Sequence, residues 1–391
     1  MNIFLKILRK RSIIFLIPPN QEKDGNMSTL FDIWNTIQTK LFPWLEQELD
    51  PLSDKEREFV QVVSLLDLPS HMKEFSWRGL GRKKKSRINM AKAFVAKSVY
   101  KFETTDILIE YLRNCKNIRR LCGWELACEI PSSATFSRAF TEFATHSLPQ
   151  KIHEAMVIKH CGPKLAGHIS RDATAIEARE KPVKAQTSEA APKPKGKRGR
   201  PRKDEVLAPK PPKRVELQAE RSLEDNLKDL PNHCNVGVKK NSKGYKETWI
   251  GYKLHLDCID GDIPISAILS SASLHDSQAA IPLAQMSSKR VANLYDLMDA
   301  AYDSPEIHSL SKSLGHMPII DNNPRRREKI LMDPATKSRF AERSSAERVN
   351  SNLKDNYGGR TIRVKGASKV MAHLMFGIVS ITAMQIFRLL L

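Results

Sequence analysis

The chain has 391 residues and carries 64 Lys and Arg against 44 Asp and Glu, a formal net charge of +20 at pH 7. That length exceeds one ordinary domain, and that charge selects for a polyanionic partner while saying nothing about fold. The six cysteines include no Cys-x2-Cys pair, which speaks against a zinc site, a disulfide framework and secretion, and fits a reducing cytoplasmic compartment.

At the start, FLKILRKRSIIFLIPP sets cations before an apolar stretch, as a signal peptide would, but it is short and lacks a small-residue cleavage site. Met27 then opens an ordinary soluble sequence, so residues 1–26 are expected to be a non-native or disordered extension. Residues 27–161 read as helical. Phe31, Trp34 and Ile37 fit a three-residue stripe, and the stretches from Ile88 to Tyr100 and from Thr105 to Asn114 space their apolar residues as helices do. Pro131, Ser132 and Ser133 supply a stop and a cap, after which Phe136, Ala139, Phe140 and Phe143 form an apolar face and Arg138 points away from it. Two readings stand: a helix-turn-helix presenting Ser132, Thr135 and Arg138 to DNA, or a helical corner packing on the rest of the chain.

Leu165, Ile169 and Ile176 then punctuate a strand that contains Asp172. The segment 181–214 differs from all else: twelve Lys or Arg, three acids, seven prolines and almost nothing apolar. It cannot bury enough surface to offset its chain entropy, and disorder is expected. Within it KRGRPRK (Lys197 to Lys203) resembles the core of an AT-hook, which would lay Arg198 and Arg200 in an A·T-rich minor groove. The alternative is a flexible linker held near DNA by counterion release alone.

Beyond the insertion, Thr248 to Asp260 alternates as a strand with Ile250, Tyr252, Leu254 and Leu256 on one face. Gly261-Asp262 makes a turn into a second strand, IPISAILSS, and SLHDSQAAIPLAQM follows as a helix capped at His275-Asp276. A further short strand ends at Asp299, just before Tyr302-Asp303; then come a helix from Ser304 to Ser313 and the strand HMPIID. Asp333-Pro334 leads into the helix FAERSSAERVNSNLK, stopped by Gly358-Gly359. The closing run VMAHLMFGIVSITAMQIFRLLL is long enough to cross a membrane. His373, Ser380, Thr382, Gln385 and Arg388 interrupt it, and a buried core helix is the expectation.

On the Glu347 helix four distinct side chains share one stripe. At 100° per residue Arg343 lies about 60° from Phe340, Glu347 about 20° and Lys354 about 40°, so one carboxylate is bracketed by two cations. This spacing resembles the Tyr-x2-Arg-x3-Glu-x6-Lys signature of bacterial insertion-sequence transposases with a DDE catalytic triad. Phe340 replaces the Tyr, keeping the ring and dropping the hydroxyl. The Gly-Trp segment that leads through Pro131-Ser132 resembles the N-terminal domain of the same family.

The resemblance implies an α/β fold: a ribonuclease-H-like mixed-sheet catalytic domain over residues 162–180 and 215–391, behind an N-terminal all-helical domain. It also implies catalytic, metal-holding acids at Asp172, on the opening strand, at Asp299, in its Asp-x-x-Tyr-Asp setting, and at Glu347; Asp303 and Glu177 are the nearest substitutes. The 48 positions between Asp299 and Glu347 suit one strand-and-helix unit and leave no room for an inserted β-rich domain. Mg2+ is the expected ion, with Mn2+ able to substitute. Arg343 and Lys354 would clamp phosphates, and Lys354 is the better candidate for positioning the DNA end. The expected partners are double-stranded DNA (terminal inverted repeats and target) and a second copy of the chain, with no membrane, in a bacterial cytoplasm near the nucleoid. Two alternatives remain open: a nuclease of the same fold that does not join ends, and a DNA-binding descendant without catalysis.

Overall fold

The computed structural model describes residues 30–77, 79, 81–183, 212–240, 243–322 and 331–389. The expectations for residues 1–26 and for most of 181–214, Arg198 and Arg200 included, lie outside those residues.

The first part is helical. Helix α1 (Leu30–Thr36) runs through a wide π-helical turn (Ile37–Leu41) into α2 (Phe42–Glu48), followed by α3 (Asp54–Leu65), α4 (Arg87–Val99), α5 (Thr105–Asn114), α6 (Lys116–Cys122), α7 (Ser133–Thr145) and α8 (Leu148–His160). Local chemistry sets several starts. Ser53 and Glu56 close a reciprocal capping box on α3, the Ser53 hydroxyl accepting from the Glu56 N–H while the Glu56 carboxylate accepts from the Ser53 N–H at 2.8 Å. On α7 the expected face is buried, Phe136, Ala139, Phe140 and Phe143 all lying inside, and Arg138 is exposed. At the very start Phe31 stays in solvent, so the stripe proposed there rests on Trp34 and Ile37.

The second part is a mixed six-stranded sheet. Its strands are β1 (Leu165–Glu177), β2 (Asn235–Lys240), β3 (Lys246–Ile259), β4 (Ile263–Ser271), β5 (Ala292–Met298) and β6 (Met317–Ile320), in the order β2-β3-β1-β5-β6, with β4 also paired to β3. β1, β2 and β4 run antiparallel to β3, whereas β5 runs parallel to β1, and β6 to β5. Gly251 pairs with Glu177 of β1 and with Asn235 of β2. β2 and β4 therefore share the edge of β3 that faces away from β1. Gly251 has φ +154, and a Cβ there would stand 2.0 Å from the Ile176 carbonyl oxygen. At the β3–β4 turn Gly261 and Asp262 both take positive φ, +79 and +58, as the turn expected from sequence requires.

Helices cover both faces of the sheet. These are α9 (Arg214–Glu220), α10 (Leu223–Asp229), α11 (Ser277–Ser288), α12 (Pro305–Ser313), α13 (Pro334–Ala341), α14 (Ser344–Asn356) and α15 (Ala367–Arg388). The expected mixed-sheet α/β architecture behind a helical region is what is observed. The last helix is apolar all round because it is enclosed all round: it packs on α3, α4, α7, α8 and β4, and 83% of its most apolar window is buried. One continuous core, from Ile37 to Phe387, joins the helical region to the sheet through this helix.

Four local readings are corrected. β2, α9 and α10 fall where sequence patterning gave no element, and Arg214, assigned to the basic insertion, opens α9. Ile250 is exposed, because β3 there extends past the cover of the core. Asp276 makes no cap hydrogen bond; its carboxylate instead accepts from Lys253 Nζ at 2.8 Å. The single helix expected from Phe340 to Lys354 is two helices, broken at Glu342 and Arg343, with Arg343 standing at the start of α14.

Candidate active site

Side chains at alternate positions of a strand share a face, so Ser170, Asp172 and Thr174 look out from β1 together. α14 is laid along that row. The Ser170 hydroxyl donates to the Arg343 carbonyl and accepts from the Ala346 N–H at 3.3 Å; Asn350 Nδ2 donates to Asp172 Oδ2 at 3.1 Å; Lys354 Nζ donates to Thr174 Oγ1 at 2.6 Å. Ala346, Asn350 and Lys354 are spaced by four residues, about 6.0 Å of helix rise, and the strand residues by two, about 6.6 Å. Matched rises let one helix face meet one strand face without slippage.

Asp299 reaches the same place through the parallel pairing. Ser170 of β1 stands beside Leu297 of β5. Two residues further along are Asp172, midway along β1, and Asp299, just past the end of β5, so the register brings the two acids side by side. Asp299 is fixed by its own turn, its Oδ1 accepting from the Ala301 N–H at 2.9 Å. Burial and the nearby charges of Asp276 and Asp321 push its carboxyl above the usual carboxylate range, against the Ala301 N–H and Arg343. Asp172 is pushed up to about 6, first by burial and then by the charges of Asp299 and Glu347, with the Ala173 N–H and Arg343 opposing.

Glu347 is half-exposed and pairs with Arg343, Oε1 to Nη2 at 2.8 Å. Arg343 in turn sits over the Phe340 ring, 5.6 Å from its centroid. Although the helix is broken, the ring still supports the cation, a role that needs no hydroxyl. Burial lowers the Lys354 ammonium, as do Lys239 and Arg360, against the pull of Glu177 and Asp172. The two substitutes are placed differently: Asp303 lies 3.1 Å from His308 Nε2, and Glu177, five residues from Asp172, is on the opposite face of β1. Arg138 is on α7 in the helical region, donating to Thr135 Oγ1 at 3.3 Å, and belongs to no part of this cluster.

Beneath the acids, on the other face of β1, lies a charge network that sequence reading missed. Arg171 and Asp257 are cross-strand partners, 1% and 0% exposed, joined by two hydrogen bonds of 2.7 Å; Ser287 of α11 donates to the same carboxylate at 2.6 Å. Burial opposes the Arg171 charge, but Asp257 holds it above its ordinary value; burial raises Asp257 against the pull of Arg171 and Ser287. Asn350 and Ser170 were missed too. The one signal for Asn350 was its helical spacing, four residues before Lys354 on the same stripe.

A family model for the transposase DDE domain matches residues 167–382, more than half of the chain and all three acids. The chain belongs to the DDE transposases. A second model, a transposase domain (DUF772), matches residues 47–142 of the helical region. No curated protein matches the chain. It is thus an insertion-sequence transposase acting on DNA, of a class that generally uses divalent metal ions. The donors here suit such an ion: hard carboxylate oxygens, of which Asp172, by burial first and then by the charges of Asp299 and Glu347, retains a proton to about pH 6, a cost that a cation relieves. As the side chains stand, no three or more His, Cys, Asp or Glu among the described residues come close enough to hold one. Glu347 is turned onto Arg343.

Proposed function

We propose that Asp172, Asp299 and Glu347 are the catalytic acids of this transposase, and that it cuts DNA at the ends of an insertion sequence and joins the cut ends to target DNA. The observation that carries this reading is the register of β1 against β5, which sets Asp172 beside Asp299 while α14 lays Glu347 over the same strand. Held by these three carboxylates, Mg2+, or Mn2+ in its place, would supply charge for the scissile phosphate and lower the pKa of bound water.

The chain's own residues do the rest. Asn350 orients Asp172 by donating to its Oδ2. Arg343 and Lys354 grip phosphate oxygens on either side of Glu347, and release of Arg343 from Glu347 frees both the cation for DNA and the carboxylate for the site. Asp172 must be ionised to take part, and because its carboxyl holds a proton up to about pH 6 without metal, metal binding displaces that proton and is weaker below pH 6. Arg138 on the exposed face of α7, and Arg198 and Arg200 in the insertion, add contacts to DNA outside the site. A homodimer engages the two ends, in the bacterial cytoplasm.

Three variants, assayed side by side by gel shift and strand transfer, test this reading. Glu347→Gln removes the charge that holds a metal and should abolish cleavage and joining while end binding survives. Arg343→Ala and Lys354→Ala each remove a charge-assisted contact of about 1.5–3 kcal/mol, about ten- to hundredfold in end binding or positioning. Joining at the wild-type rate by Glu347→Gln would refute the assignment; cleavage without joining by the wild type would make the protein a nuclease of the same fold.

A further inference from the structure

A cleft of about 540 Å³ opens between the helical region and the segment that joins α14 to α15. Cations come to it from distant parts of the chain: Lys97 from α4, Arg179 just past β1, Arg363 and Lys365 from the joining segment, and Lys369 from α15. Two are already engaged. Arg363 pairs with Glu103 at 3.2 Å, and Lys97 Nζ donates to the Glu103 carbonyl at 3.2 Å. Arg179, Lys365 and Lys369 pair with no carboxylate among the described residues. Across from them α7 presents Ser133, Ser137 and Thr141, a row of hydroxyls spaced by four.

The cations are held in place. Glu180 Oε1 accepts from the Gly366 N–H at 2.9 Å and from the Tyr252 hydroxyl at 2.9 Å, which staples the segment bearing Lys365 to the chain beside Arg179. Glu103 and Asp106 also line the cleft, so five cations face two carboxylates, and the net positive charge in a walled cleft focuses its field outward. With the Ser133 and Ser137 hydroxyls opposite, the Thr141 hydroxyl being spent on the Ser137 carbonyl, and the rings of Phe94, Phe102, Phe140 and Phe376 beside them, the net positive cleft suits a line of phosphates flanked by sugars.

Its distance from the acids fixes which phosphates. Arg179 follows Asp172 by seven residues, five of them in β1 and two just past its end, a span of up to roughly 23 Å at 3.3 Å per residue. Duplex DNA rises 3.4 Å per base pair, so this span corresponds to about seven base pairs. We infer that the cleft grips one strand's backbone of the element-end duplex about seven base pairs from the bond that is cut. This rests on Asp172 being catalytic, as proposed above.

The experiment uses the full chain and a duplex carrying the terminal inverted repeat that flanks its gene, with single phosphates replaced in turn by uncharged methylphosphonates. Wild type should lose affinity at linkages about five to nine base pairs from the cut. Lys365→Glu/Lys369→Glu should bind at least tenfold more weakly, lower the salt slope of binding by about 1.8 for two lost contacts, and no longer respond to those linkages. Unchanged affinity and slope in the double variant would overturn the cleft as a DNA surface. A lowered slope with sensitive linkages elsewhere would overturn its placement. Circular dichroism and thermal melting confirm that the double variant is folded, and Glu347→Gln in a cleavage assay on the same duplex with Mn2+ reports separately on the catalytic reading: its activity bears on the acids, the linkage map on the cleft.

Discussion

Replacing Arg171 by Met tests whether the buried pair under the acids holds the strand that carries them. Arg171 and Asp257 are 1% and 0% exposed and share two hydrogen bonds of 2.7 Å. Met fills similar space but leaves Asp257 ionised in the core with only Ser287 donating to it. Removing one member of such a pair costs about 3–5 kcal/mol, a large share of the 5–15 kcal/mol typical of a folded domain. Urea unfolding of the metal-free protein measures it. Adding Asp257→Asn to Arg171→Met removes the stranded charge and keeps an acceptor for Ser287, so the double variant should recover at least half of the loss. A single variant destabilised by less than about 1 kcal/mol, or a double variant with no recovery, would refute the claim that the pair secures β1 against β3. Strong positive coupling would then predict lowered strand transfer in the single variant and partial rescue in the double.

The remaining expectations concern the acids and the sheet. Asp172 binds its proton more tightly folded, at about 6, than at its ordinary value of 3.8, so its own contribution to metal-free stability is fully present below about pH 3.8 and is lost as pH rises through 6. Asp172→Asn should therefore abolish cleavage yet stabilise the metal-free protein at pH 7.5 by about 1–3 kcal/mol, a gain that vanishes near pH 3.5; no gain in urea unfolding at pH 7.5 would count against a carboxylate held ionised in a buried site. Asn350→Ala removes the donor to Asp172 Oδ2 and should raise the Mn2+ concentration needed for half-maximal cleavage by about 10- to 100-fold, with thermal melting little changed. Gly251→Ala places a Cβ 2.0 Å from the Ile176 oxygen at φ +154 and should cost about 2–3 kcal/mol, seen as a lowered melting temperature or loss of soluble protein.

Sequence by itself determined the strands and helices whose periodicity is local: β1, the β3–β4 hairpin with its Gly261-Asp262 turn, α7 and its four buried apolar residues. It also determined the order of the three acids and the aromatic, two cations and carboxylate around Glu347, because spacing along a chain fixes neighbours within one element. It left β2, α9 and α10 unread, since short segments without a strong apolar period carry little local signal. A break at Glu342 and Arg343 escaped it for a related reason: the residues on both sides favour helix, and docking of Ser170 against the start of α14 decides where the turn falls. Tertiary structure alone decided the rest. Asp172 stands beside Asp299 because of a parallel register between strands 127 positions apart; Arg171 is neutralised by Asp257 from a different strand; the cleft cations come from four separate elements. The closing helix is likewise a core element and not a membrane span because α3, α4, α7, α8 and β4 surround it. Contacts between residues far apart in sequence depend on how whole elements pack, and the energy that selects the packing is spread over the shared core instead of being written at any one position.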